Sequence, residues 1–124
     1  MKTLLIVKSV VEVGAGLALL LVPSMVVSLA LGIPLERPGV IALARFVGVV
    51  LLAVGIACWM ARNHSGSRGA IGLIVGLLAY DVSVVALLLV ARLAEQLSGI
   101  ALWPAVFLHS GLGLWSLLSL RKKQ

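Results

Sequence analysis

Charge is scarce in this chain: 11% of its 124 residues are Asp, Glu, Lys or Arg, and only four are acidic. A soluble domain covers its core with a surface that is about 25–35% charged, so a water-facing fold is excluded. Cysteine occurs once, at Cys58. It forms no internal disulfide, and cysteine usage therefore says nothing about redox compartment. There is no Cys-x-x-Cys, no P-loop and no nucleophile elbow. The two histidines, His64 in a loop and His109 in an apolar segment, lie too far apart in depth to share a metal. No metal or cofactor is expected. Ser110 follows His109 directly, but neighbours on a helix point about 100° apart and make no ready dyad.

Apolar sequence fills the space that charge leaves. Hydrophobic residues make up 62% of the chain and its mean hydropathy is +1.23, against about 45–50% apolar in soluble proteins. The net charge of +6 does not indicate a nucleic-acid partner, because the basic residues are spread over loops and ends rather than gathered in one patch. That spread is what membrane topology requires. The expected partner is the lipid bilayer. Four spans of ~20 residues with short loops use nearly the whole length. Residues 1–124 therefore read as a single transmembrane domain, with any function inside the bundle, at its rims or against another chain.

The spans run roughly over 4–22, 40–61, 69–91 and 100–120. The fold class is an all-α integral membrane protein, an antiparallel four-helix bundle, since short loops force neighbouring helices antiparallel and four short strands cannot close a barrel. The first span has the look of a signal peptide, but Lys8 and Glu12 interrupt it and no small-x-small site follows, so it reads as retained. One helix from Leu4 to Leu31 would be ~42 Å long. A kink at Pro23 is expected instead, followed by a short interfacial helix with Ser24 as its N-cap. Lys2, Lys8, Arg62, Arg68, Arg121, Lys122 and Lys123 fall on one side. Arg37 and Arg92 fall on the other, each beside an acid, Glu36 and Glu95. The positive-inside rule then places both termini in the cytoplasm. Trp103, Trp59 and Trp115 either anchor the interfaces or stack on a ligand.

One ionisable residue lies inside each apolar segment: Glu12, Arg45, Asp81 and His109. A charge near the bilayer centre costs at least ~2.5–3.5 kcal/mol, so such groups face the bundle and pair. Counting at 1.5 Å per residue puts Glu12, Asp81 and His109 ~12–18 Å deep, near the midplane, with Arg45 in the outer half. Lys8, Ser9, Glu12 and Gly16 share one face of the first helix. Arg45, Gly48, Leu52 and Gly55 share one on the second, and Ala105, His109, Gly113 and Ser116 one on the fourth. On the third, Gly72 and Gly76 form a G-x-x-x-G pair extended by Gly69, Tyr80 and Ser83, which serves either packing within the chain or a homodimer. Two readings of the buried charges stand. In the structural one, Glu12 pairs with Lys8, Asp81 with Arg45, and His109 bonds a carbonyl or Ser110. In the functional one, Glu12, Arg45, Tyr80, Asp81 and His109 surround a polar midplane pocket where a group changes protonation.

The stretches 42–48 (Ala-Leu-Ala-Arg-Phe-Val-Gly) and 55–62 (Gly-Ile-Ala-Cys-Trp-Met-Ala-Arg), with 78–81 (Leu-Ala-Tyr-Asp) and 103–109 (Trp-Pro-Ala-Val-Phe-Leu-His), resemble small four-helix bacterial membrane proteins. More distantly the chain is similar to DoxX-like proteins, which share an arginine followed by glycine in a helix of such a bundle. The resemblance implies a fold and a bacterial inner-membrane location rather than a reaction. Small multidrug resistance transporters share the length and a glutamate in the first helix, but their aromatic and glycine pattern is absent from the later helices. The expected function is binding of a lipophilic or amphipathic ligand, or an accessory role in a larger membrane complex. The alternatives are a proton-coupled transporter using Glu12 or Asp81, and an enzyme on a quinone- or isoprenoid-like lipid with Asp81 or Glu12 as acid or base and His109 as partner.

Overall fold

A computed structural model describes residues 1–122. Lys123, assigned above to the basic side, lies outside the described residues. The described chain is all helix and turn: α1 (Lys2–Leu21), α2 (Pro23–Leu31), α3 (Pro38–Ala61), a 3-10 turn (Arg62–His64), α4 (Arg68–Leu93) and α5 (Leu102–Arg121). α1, α3 with its 3-10 extension, α4 and α5 are each long and apolar enough to cross a membrane. Their ends fall within about two residues of the sequence expectation, with α3 and α4 slightly longer.

Proline and serine set several of these ends. α1 stops at Leu21, and Pro23 occupies the first turn of α2, where its missing N–H costs nothing. The expected kink is there, but Ser24 is not the N-cap. Val22 holds that position, and the Ser24 hydroxyl donates to the Leu35 carbonyl instead, at 3.2 Å. Pro23 takes the first helical position, so Ser24 falls at the second, already inside the helix and unable to cap it. Pro38 likewise opens α3. Ser67 caps α4 by accepting from the Ala70 N–H at 3.2 Å.

The helices associate as two tight pairs. In the α1–α3 pair the backbones nearly touch. A Cβ on Gly16 would sit 2.7 Å from the Gly48 carbonyl oxygen, and a Cβ on Gly48 2.7 Å from that of Gly16. One on Gly55 would sit 2.7 Å from a Val13 methyl and 3.2 Å from the Ser9 oxygen. Position rises along α1 as it falls along α3, so the pair is antiparallel. In the α4–α5 pair Gly113 packs on Asp81 and Leu78, and His109 meets Asp81, again antiparallel.

Gly72 and Gly76 behave differently. A Cβ at either would meet nothing within 4 Å, so this pair does not mediate packing within the chain. Both line an open cleft between α3 and α4. Close glycine packing occurs instead on the α1 and α3 faces that carry Gly16, Gly48 and Gly55 beside polar residues.

The two ends of the bundle are closed in different ways. Toward the chain termini, Leu4, Leu5, Cys58, Ile74 and Leu77 form a buried apolar cluster. At the other end α2 folds back over the α4–α5 loop. The Ala101 N–H donates to the Leu29 carbonyl at 2.8 Å, and Gly99 presses so closely on Leu29 and Ala30 that no side chain fits there. Gly32 takes φ 75°, the left-handed conformation that ends α2.

Candidate functional site

Between the two helix pairs lies a polar centre drawn from three helices. Lys8 of α1 and Asp81 of α4 are fully buried and form an ion pair through the lysine Nζ and Asp81 Oδ2. The other Asp81 oxygen, Oδ1, lies 2.9 Å from Nδ1 of His109 on α5. Asp81 thus holds a lysine with one oxygen and an imidazole with the other. Tyr80 meets the His109 ring edge-on, with centroids 5.5 Å apart. A carboxylate bonded to Nδ1 fixes the imidazole's tautomer and orientation and leaves Nε2 as its acceptor nitrogen.

Glu12 is the unpaired member. One turn along α1 from Lys8, it is 1% exposed, and neither carboxyl oxygen has a hydrogen-bond partner among the described residues. The Tyr80 side chain lies beside it. The expected Glu12–Lys8 pair is replaced by Lys8–Asp81. A lysine between two carboxylates joins the one to which its side chain extends with better geometry, and here that one lies across the bundle.

Arg45 departs from expectation. It is exposed and lines a separate pocket of about 350 Å³ with Leu21, Pro23, Ser24 and Ile41. It makes no ion pair among the described residues, so the anticipated Asp81–Arg45 lock does not form. Arg45 and Gly48 lie on one face only approximately: Gly48 is in the α1–α3 seam, and Arg45 lies at its margin. His109 bonds Asp81 rather than a carbonyl or Ser110. Of the five candidates, the structure gathers Glu12, Tyr80, Asp81 and His109 and leaves Arg45 out. Lys8 is the participant that sequence reading undervalued. Its signal was present, since it shares a helical face with Glu12, but it was read as one of the basic residues that set the topology.

Two lateral clefts flank the centre, one on each side of α4. The α4–α5 cleft, of about 250 Å³, is lined by apolar side chains together with Asp81, His109 and Ser110. The α3–α4 cleft, of about 400 Å³, is lined by Val50, Leu51, Val54, Leu73 and Leu77, the Gly72–Gly76 strip, and Tyr80 as its one polar residue. Adjacent residues Tyr80 and Asp81 point to different sides of α4 and so serve different clefts. No group of three or more potential metal ligands occurs among the described residues. Two tryptophans pack on other partners: the Arg62 guanidinium stacks 3.7 Å from the Trp59 ring centroid, and Trp103 tilts against Phe107.

No protein-family model, no curated protein and no solved structure matches this chain. The fold and the polar centre define a small all-helical protein with four membrane-length helices around a buried charge cluster.

Proposed function

We propose that this is a small multi-pass protein of the bacterial inner membrane, with both termini in the cytoplasm, that binds a lipophilic or amphipathic small molecule at its polar centre. The basic residues at the end carrying the termini and the 62–68 turn support that orientation. The observation that carries the binding reading is the opening of the Asp81–His109 pair into the α4–α5 cleft. A purely structural charge cluster has no reason to border a gap in the lipid-facing wall. Here a ligand entering sideways from the bilayer would lay its apolar body along Val82, Val85, Leu114 and Leu117 and present its polar group to His109. A largely apolar site with a few oriented polar groups is the usual form of a small-molecule pocket.

The test is photolabelling in nanodiscs with a diazirine-bearing aliphatic alcohol, followed by peptide mapping. Labelling should concentrate on α4 and α5 around His109 and fall at least tenfold in His109→Leu, with the thermal unfolding temperature reported beside it. Uniform labelling of all lipid-facing surfaces, unchanged in the variant, rejects the reading.

The oriented imidazole favours a second role at the same place. With Nδ1 engaged by Asp81, His109 is arranged to accept a proton from a bound hydroxyl. Turnover of a bound lipid that survives His109→Gln would exclude it.

A further inference from the structure

Arg45 is the one charged residue of α3, and it stands about 10 Å along that helix from Pro38. A guanidinium is always charged, and in a membrane-spanning segment such a charge calls for an anion or for water. No acidic side chain among the described residues supplies the anion. Both Asp81 oxygens are engaged, one by Lys8 and one by His109. Glu12 is buried in the centre, and Glu36 and Glu95 form no ion pair among the described residues. Arg45 is exposed, so an anion from outside the chain can reach it.

The arginine also has a pocket around it. Three segments meet there, the end of α1, the first turn of α2 and the outer part of α3, and they enclose about 350 Å³. Leu21, Val22, Met25 and Ile41 give the pocket apolar walls, and the first three are exposed. The Ser24 hydroxyl commits its hydrogen to the Leu35 carbonyl, which leaves Arg45 as the side-chain donor of the pocket. α2 begins at Pro23, and Val22 has no polar side chain to cap it, so the positive end of that helix's dipole adds to the arginine's charge. A fixed cation beside apolar walls matches an amphiphile with an anionic group. The planar guanidinium pairs with a phosphate through two parallel N–H···O bonds. Free phosphate would satisfy the cation and leave the apolar walls uncovered, whereas a lipid covers both. We propose that this pocket holds a membrane phospholipid, with its headgroup phosphate on Arg45 and its acyl chains along Leu21, Met25 and Ile41. The site rests on the reading of the chain as membrane-spanning and is independent of the α4–α5 cleft.

The probe is dioleoylphosphatidylglycerol with a diazirine near the carbonyl end of one acyl chain, added to the delipidated full-length protein in detergent. Crosslinks should map to the α1–α2 junction and to the first two turns of α3. Dioleoylglycerol has the same chains and no phosphate, and it should compete at least about tenfold more weakly, because the charge-assisted hydrogen bonds are lost. Inorganic phosphate at the same concentration should not compete. Arg45→Gln should weaken labelling at least fivefold. Arg45→Lys should fall between it and the parent, since lysine keeps the charge and loses the fork. Arg68→Gln, at the end of the bundle that carries the termini, should label like the parent. Without lipid, Arg45→Gln should unfold at the parent's temperature, and added phosphatidylglycerol should raise that temperature in the parent alone. The proposal is overturned if dioleoylglycerol competes as well as the phospholipid, if Arg45→Gln labels like the parent, or if crosslinks fall around Arg68 and Arg121 instead. Competition by inorganic phosphate would also overturn it, in favour of a soluble-anion site. Loss of the alcohol labelling at His109 would leave this site standing, and failure here would leave that one standing.

Discussion

Asp81 is the residue on which the centre depends, because it satisfies two partners with its two oxygens. Asp81→Asn removes the charge opposite Lys8 and leaves a fully buried ammonium unpaired. Breaking such a pair from one side costs about 3–5 kcal/mol. A thermal or denaturant melt in detergent should show a loss of that size. Replacing both partners with apolar residues, Lys8→Met with Asp81→Leu, should cost less than Asp81→Asn alone, because no charge is stranded. If the double variant is the weaker one, the pair contributes more than its own desolvation cost. Arg45 gives the contrasting case. It is exposed and unpaired among the described residues, so Arg45→Gln should shift the same melt by less than about 0.5 kcal/mol.

At the scale of helices, glycine decides where backbones touch. Two sets of glycines look alike in sequence and differ in surroundings. Gly48→Ala would drive a methyl to 2.7 Å from the Gly16 carbonyl oxygen, and overpacking of that kind costs about 1–3 kcal/mol. Gly72→Ala meets open space. It should be neutral, or stabilising by up to about 1 kcal/mol from helix propensity. Comparing the two melts tests the helix pairing directly, and equal losses would mean that α4 packs on Gly72. The helix ends were largely readable in advance, because Pro23, Pro38 and Ser67 act through local geometry. The expected Ser24 cap was a misreading of the same signal, because a proline at the first helical position puts the cap one residue earlier, at Val22.

For the molecule as a whole, the polar centre joins two closely packed helix pairs whose mutual contact is looser than the contact within each. That looseness produces a cleft on either side of α4. The orientation can be tested with single cysteines in a Cys58→Ala background. Asn63→Cys in the turn before α4 should be shielded from a membrane-impermeant maleimide in intact cells, and Ser98→Cys should react. The reverse pattern would invert the assigned topology. Native Cys58 is fully buried and should stay unlabelled until the protein is unfolded.

The sequence by itself determined the helical class, the four membrane-length segments, the break at Pro23 and the presence of ionisable groups at similar depth. Each of these follows from local composition and from counting along a helix of constant rise. Which charge meets which was decided only by the tertiary structure. Helical periodicity gives the face of a side chain but not the neighbour that face will find. Lys8 could have met Glu12 and Asp81 could have met Arg45; in the fold Lys8 meets Asp81, Arg45 stands exposed, and the Glu12 oxygens have no hydrogen-bond partner among the described residues. The scarcity of charge made every such pairing consequential, since a buried ion has few possible partners and a high cost without one.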